Sequence, residues 1–231
     1  MNIYHLSDII LNYIDHLISY ISGRLVEKIH SPVSGELYVY YVNGRYILNS
    51  ARGNYSFGEL HVAFRRIFRK LHIKNRNISN VLLLGLGGGS VVNLLTEEFK
   101  IKCRITAVDI DPVFIETAYK YFKIDRFENL KIVNSDAIDF LKEDRVQYDL
   151  VVFDIYIDNE VPSEFETTGF LKLLKNTIKP SGLLVFNKDV NSEKMKQSMD
   201  SFEKNFHEIF ETYHRCQVVK EHYFFIYTPG R

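Results

Sequence analysis

The run Val81-Leu82-Leu83-Leu84 passes without a break into Gly85-Leu86-Gly87-Gly88-Gly89-Ser90. No other stretch of the chain constrains the fold so tightly. An unbroken apolar run of this length predicts a strand buried on both faces, as in a parallel sheet covered by helices. Glycines permit positive φ and let a ligand approach the backbone, because no Cβ stands in the way. The helix predicted to follow, through Leu95, presents free N–H groups suited to a polar or anionic part of a ligand. A tight turn with no ligand is the structural alternative.

Strand and helix patterns alternate from there on. Ile105 to Val108, Leu130 to Val133, Leu150 to Phe153 and Leu183 to Phe186 read as further strands. Between them lie helical stretches: one with Pro112 in its first turn, one from Ser135 to Leu141, one capped by Thr167 or Thr168 and running to Ile178, and one from Ser192 to Phe206. The aromatic stretch His222 to Tyr227 reads as a closing strand. Such alternation predicts an α/β fold with a mostly parallel sheet between two helical layers. Ahead of it, Leu37 to Val42, Asn43-Gly44 and Tyr46 to Leu48 form a hairpin pattern, with Asn-Gly suited to a type I′ turn. Leu60, Phe64, Ile67, Phe68 and Leu71 then share one face of a helix.

Acids fall where the strands end. Asp109 closes the second core strand, where a carboxylate can accept hydrogen bonds from two ribose hydroxyls. A glycine turn between strand and helix, joined by that acid, points to a ribose-bearing cofactor. These two features suit a nicotinamide dinucleotide or S-adenosylmethionine equally. Asp136 follows the third strand, where it either caps a helix or accepts from an adenine amino group. Asp154 ends the fourth strand and is expected in the same crevice. Acids at three strand ends suit an adenosine carrying a sulfonium, which a carboxylate favours by charge. A dinucleotide would instead need donors for a pyrophosphate.

The remaining composition narrows the class. With 231 residues, 46% hydrophobic and 25% charged, the chain can bury a core of ordinary α/β size. Lys plus Arg and Asp plus Glu are both 29, so no broad basic grip on nucleic acid or membrane is expected. Arg65-Arg66, Arg69-Lys70, His72, Lys74 and Arg76 make one local basic stretch. It reads as a solvated helix end or as a contact for RNA or an anionic substrate. Cys103 and Cys216 are too few for a disulfide framework, and the scattered histidines lack metal-ligand spacing, so no metal is expected. Ile3 to Ile21 has helical amphipathic spacing, with Asp8 and Asp15 excluding a membrane span and no targeting leader before it. A cytoplasmic location and a homodimer using that helix or the hairpin are the expectations.

In their order, these motifs resemble the spermidine synthase-like branch of the S-adenosylmethionine-dependent methyltransferase superfamily. The resemblance runs from about Leu37 to Phe186. It is carried by the hairpin, the glycine loop, Val108-Asp109-Ile110-Asp111-Pro112, Ser135-Asp136-Ala137 and Tyr148-Asp149-Leu150-Val151-Val152-Phe153-Asp154. Val161-Pro162-Ser163-Glu164-Phe165 and Lys179-Pro180-Ser181-Gly182 also fit. The resemblance implies a Rossmann-like seven-stranded methyltransferase sheet with its last strand antiparallel. Residues 56–231 form that domain, and residues 1–55 a small N-terminal helix and β-hairpin element. It implies a cofactor site of Gly85, Gly87, Gly88, Gly89, Ser90, Asp109, Ile110, Asp136, Ala137 and Asp154. Asp109 is then the ribose ligand, Asp136 the adenine-side ligand, and Asp154 the acid beside the reacting group.

Departures from the branch shape the functional expectation. Aminopropyltransferases usually have an Asp where Ser90 stands, and Tyr-His-Glu where this chain has Phe57-Gly58-Glu59. A second Asp that they place three residues beyond the first lies four beyond it here, at Asp158. The expected function is transfer from S-adenosylmethionine, or its decarboxylated form, to a small-molecule acceptor. Methyl transfer is favoured over aminopropyl transfer, and Asp154, Tyr156 and Asp158 are the candidate catalytic residues. A polyamine aminopropyltransferase, a non-catalytic adenosyl-binding paralogue and a nicotinamide oxidoreductase are the alternatives.

Overall fold

A computed structural model describes residues 16–50, 54–56, 58–157, 160–190, 193–219 and 222–230, with the side chains of 54–56 and 194 left aside. Most of the expected N-terminal helix therefore lies outside the described residues.

The chain begins with a small antiparallel sheet of β1 (Arg24–Ser31), β2 (Gly35–Val42), β3 (Arg45–Ser50) and β4 (Asn54–Ser56). The expected hairpin joins β2 to β3, and Asn43 and Gly44 both take positive φ, 50° and 72°, as a type I′ turn requires. Helix α1 (Glu59–Lys70) buries Leu60, Ala63, Phe64, Ile67 and Phe68 along one stripe.

The main sheet follows. Its strands are β5 (Asn80–Leu84), β6 (Arg104–Asp109), β7 (Leu130–Asn134), β8 (Tyr148–Phe153), β9 (Ile178–Asp189), β10 (His214–Val219) and β11 (His222–Tyr227). Their order is β10-β11-β9-β8-β5-β6-β7, with β11 antiparallel to both neighbours and β9, β8, β5, β6 and β7 parallel. Helices α2 (Ser90–Asn93, continued by a π-turn over Leu94–Glu98), α3 (Pro112–Phe122), α4 (Ala137–Glu143), α5 (Thr168–Asn176) and α6 (Glu193–Phe210) connect them.

Alternation along the strands divides the core in two. Val81, Leu83, Leu150 and Val152 face a layer containing α1, α2, α3 and the small sheet. Leu82, Leu84, Val151 and Phe153 face α4, α5 and α6. Phe153 stacks on Phe186 of the adjacent strand with centroids 4.1 Å apart. Both faces are thus covered, which explains why β5 and β8 read as unbroken apolar runs.

Three elements differ from expectation. Helix α5 is capped by Thr167, whose Oγ1 accepts from Phe170 N–H, but it ends at Asn176. Pro180 favours extended backbone at Lys179, and β9 begins at Ile178. Helix α6 extends to Phe210 because Ile209 and Phe210 add buried apolar surface beyond Phe206. Strand β10 carries no buried residue and lies at the sheet edge, so its polar sequence gives little strand signal.

Candidate active site

The sequence order of the strands reverses at β5. From it the chain crosses to β6 on one side and later returns to β8 on the other. Ligands of open α/β sheets bind at such a switch point, beyond the carboxyl ends of the strands. A cleft of about 960 Å³, counting its open mouth, lies there.

The glycine loop forms the cleft floor. Gly85 takes φ +92° and passes so close to β8 that a Cβ on it would lie 2.3 Å from the Asp154 carbonyl oxygen. No side chain fits at this crossing. Gly85 N–H donates to Val108 O, and Asp154 N–H to Leu84 O, which fastens the three strand ends together. Gly85 and Gly87 line the cleft, whereas Gly88, Gly89 and Ser90 do not. Gly89, at φ +82°, sets the turn into α2, and Ser90 is buried.

Asp109 holds this loop in shape. Its Oδ2 accepts from Leu86 N–H at 2.8 Å and Gly87 N–H at 3.3 Å, and its Oδ1 from Asp111 N–H at 3.0 Å. A carboxylate has about four acceptor positions, so one remains for a ligand hydroxyl. Burial raises its pKa, against the pull of those three N–H groups. Exposed Ile110 and the β1–β2 turn, through Val33 and Ser34, form the adjoining wall. Ser34 Oγ donates to Asp111 Oδ2 at 2.7 Å and Ser31 Oγ to the same oxygen at 2.5 Å, which ties that turn to the start of α3.

Ser135, Asp136 and Ala137 line the next side. Asp136 is the N-cap of α4, with Oδ1 accepting from Ile138 N–H at 2.8 Å and Asp139 N–H at 3.1 Å. Its second oxygen takes no part in these bonds.

Asp154 is the electrostatically unusual group. Burial pushes its pKa up to about 8, and nearby Asp109 adds to the rise, opposed by a hydrogen bond from Asn187 Nδ2 to Oδ1 at 2.9 Å. No described cation pairs with it, so the carboxyl favours its protonated form at neutral pH. Asn187 Oδ1 is also buried, with no hydrogen-bond partner among the described residues. Tyr156 lines the cleft too, and its hydroxyl accepts from Asp189 N–H at 2.8 Å. Burial and then Asp154 and Asp189 raise the Tyr156 pKa well above its ordinary value. Asp158 lies outside the described residues.

The cleft also brings in residues that the sequence reading did not single out for it. Asp189 ends β9 and Glu164 precedes Phe165 on its rim, while Leu60 and His222 come from α1 and β11. The strand-end rule that found Asp109 and Asp154 would have found Asp189, had β9 not been read as ending at Phe186. Nothing local marks His222, which the antiparallel strand β11 places beside Asp189. Among the described residues no group of three or more His, Cys, Asp or Glu is placed to hold a metal.

A glycine loop between strand and helix, an acid at the neighbouring strand end and a further half-buried acid thus line one cleft at the switch point of the α/β sheet. The chain belongs to the spermine/spermidine synthase domain family, whose model matches residues 68–224. It is 31% identical over 150 residues to the eEF1A lysine and N-terminal methyltransferase homolog of Drosophila melanogaster, across 60% of this chain and 21% of that protein. It is 31% identical over 116 residues to the polyamine aminopropyltransferase of Vibrio vulnificus, across 49% of this chain and 38% of that one. The chain thus matches well under half the length of these relatives. Human methyltransferase-like protein 13 in complex with SAH superposes with a TM-score of 0.60 at 23% identity, over 74% of this chain and 81% of that one. Spermidine synthase from Thermotoga maritima superposes with a TM-score of 0.70 at 12% identity, over 89% and 72%. These likenesses bear out the fold expected from the sequence.

Proposed function

We propose that the chain is a transferase that uses S-adenosylmethionine or its decarboxylated form, with methyl transfer favoured and a small molecule as acceptor. The observation that carries this reading is Asp154, a half-buried carboxyl without a cationic partner among the described residues, facing the cleft beside the glycine loop. A sulfonium supplies the missing positive charge. The open floor at Gly85 and the remaining acceptor position on Asp109 suit a ribose.

When bound, S-adenosylmethionine supplies a carbon on sulfonium sulfur that is open to direct attack. Asp109 holds the ribose, and Asp136 takes the adenine side through the oxygen not used for capping. Ile110 and Ala137 give apolar contact. Asp154 ionises beside the positive charge, orients the nucleophile and takes its proton, while burial excludes competing water. Tyr156 positions the far wall, since its hydroxyl is engaged by Asp189 and its raised pKa makes it a poor base at neutral pH. Asp158, outside the described residues, stays a candidate catalytic acid on its sequence position alone.

Similarity to a methyltransferase and the eroded polyamine anchors, Ser90 and Phe57-Gly58-Glu59, favour methyl over aminopropyl transfer. No described helix is long and apolar enough to cross a membrane. A cytoplasmic location remains part of the proposal, with the free thiols Cys103 and Cys216 in keeping with it. So does a homodimer, favoured by the exposure of Leu17, Ile18, Tyr20 and Ile21. The test is calorimetry with S-adenosylmethionine, its decarboxylated form, S-adenosylhomocysteine and NADH. Binding of an adenosyl-sulfur compound supports the reading, and binding of NADH alone overturns it.

A further inference from the structure

A second hollow, of about 1340 Å³ counting its open mouth, adjoins the cleft. The two share one lining residue, His222. The second hollow is walled by α1, through Glu59, His61, Arg65 and Arg66, and by Arg45 at the start of β3. We propose that this groove is the acceptor site and takes a small molecule bearing a carboxylate or phosphate. The proposal deepens the transferase reading and rests on it for the role of the occupant.

Position is the first argument. Within the cleft, Ile110, Ser135 and Asp136 lie on the β6–β7 side, whereas Asp154, Asp189 and His222 come from β8, β9 and β11 on the other. A ligand with its adenine beside Asp136 and its ribose at Asp109 directs its remaining end toward that second side. Leu60 of α1 lines the cleft there, and its sequence neighbours Glu59 and His61 line the groove. The groove therefore opens beside the reacting end and away from the adenine end.

Charge is the second. Arg45 is exposed and has no ion-pair partner among the described residues. Arg66 donates to the Val218 carbonyl oxygen at 3.3 Å and has no described acid beside it. Each guanidinium keeps donors in the planar fork that suits carboxylate and phosphate oxygens. Arg65 is neutralised by Glu98 at 2.6 Å, which leaves Arg45 and Arg66 against Glu59 and a net positive charge in the groove. The local field shows at His61, whose pKa is lowered to about 4 by burial and then by Arg65 and Arg45, against Glu98. His222 adds a buried Nδ1 that has no hydrogen-bond partner among the described residues, at the passage between the two hollows. Such a groove favours an anion over a polyamine dication. It also gives Arg66, from the basic stretch noted in the sequence, a use other than solvation.

The experiment titrates full-length protein saturated with S-adenosylhomocysteine against inorganic phosphate, succinate and putrescine at fixed ionic strength. The variants are R45E, R66E and, as a control, R145E beyond the C-terminal end of α4. The expected result is millimolar or tighter binding of phosphate or succinate, weakened about tenfold or more by R45E and by R66E and unchanged in R145E. Nuclear magnetic resonance of the backbone amides confirms that the variants fold. Binding of putrescine without either anion, binding of neither anion, or anion binding indifferent to R45E and R66E overturns the proposal. A first titration with S-adenosylhomocysteine alone separates the two readings. Its failure removes the cofactor reading, and phosphate binding to the free protein then decides the groove by itself.

Discussion

Asn187 donates its side-chain Nδ2–H to Asp154 Oδ1 at 2.9 Å, and with this bond the carboxyl still titrates near pH 8, far above its ordinary 3.8. The folded protein therefore binds more protons at this residue than the unfolded chain between those two values. Stability from this group is full below about pH 4 and is lost as pH rises through about 8. Chemical denaturation from pH 5 to 9 is expected to show that fall, and Asp154→Asn to flatten it. An unchanged slope in the variant argues that Asp154 is ionised throughout.

The same carboxyl links binding to protons. S-adenosylmethionine brings a sulfonium, and S-adenosylhomocysteine a neutral thioether in its place. At pH 7 the first is expected to release close to one proton on binding, and the second much less. Calorimetry in buffers of different ionisation enthalpy measures both. Equal proton release for the two compounds counts against the placement of the sulfonium at Asp154.

Gly85→Ala is expected to destabilise the fold by about 2 kcal/mol or more, because strained φ and a backbone clash act together. Its Cβ would meet Asp154 O at 2.3 Å. Denaturant unfolding gives the number. A cost below about 0.5 kcal/mol would mean that the loop and β8 part easily.

Asp109→Ala is expected to weaken S-adenosylmethionine binding by about 1–3 kcal/mol, the range of charge-assisted hydrogen bonds. The loss has two sources, the ribose contact and the loosening of Leu86 and Gly87. Asp109→Asn separates them in part, since its amide oxygen can still accept from the loop. Wild-type affinity in both variants contradicts the assignment of the ribose to this residue.

Purified protein given decarboxylated S-adenosylmethionine and putrescine is expected to turn over poorly. Phe57 has no hydroxyl, Gly58 no side chain and Ser90 no charge. Two such lost contacts, at roughly 1.5–3 kcal/mol each, lower a rate by orders of magnitude. Chromatography of spermidine decides it, and turnover near one per second shows the anchors to be dispensable.

What the sequence made legible follows from how local each signal is. The strands β5 and β8 and the acids Asp109 and Asp154 could be read directly, because a strand buried on both faces leaves an unbroken apolar run and an acid at its end stands out. The Asn43-Gly44 turn was equally local. His222 reaches its hollow through the long-range pairing of β11 with β9, while Arg45 sits on the local β2–β3 hairpin, and neither carries a motif. Asp136 shows a different limit. Its capping bonds to Ile138 and Asp139 were foreseeable from sequence, yet a cap and a ligand contact use the same residue type at the same position.

The pair of serines on Asp111 makes the N-terminal sheet a part of the cleft wall. Ser31 and Ser34 end on one oxygen of Asp111, while its other oxygen accepts from Val113 N–H to start α3. Asp109, two residues earlier, grips the glycine loop and the Asp111 amide together. Grafting the β1–β2 turn of a relative onto this chain would therefore reshape the cleft wall at Asp109 and Ile110, even with every glycine and strand-end acid left in place.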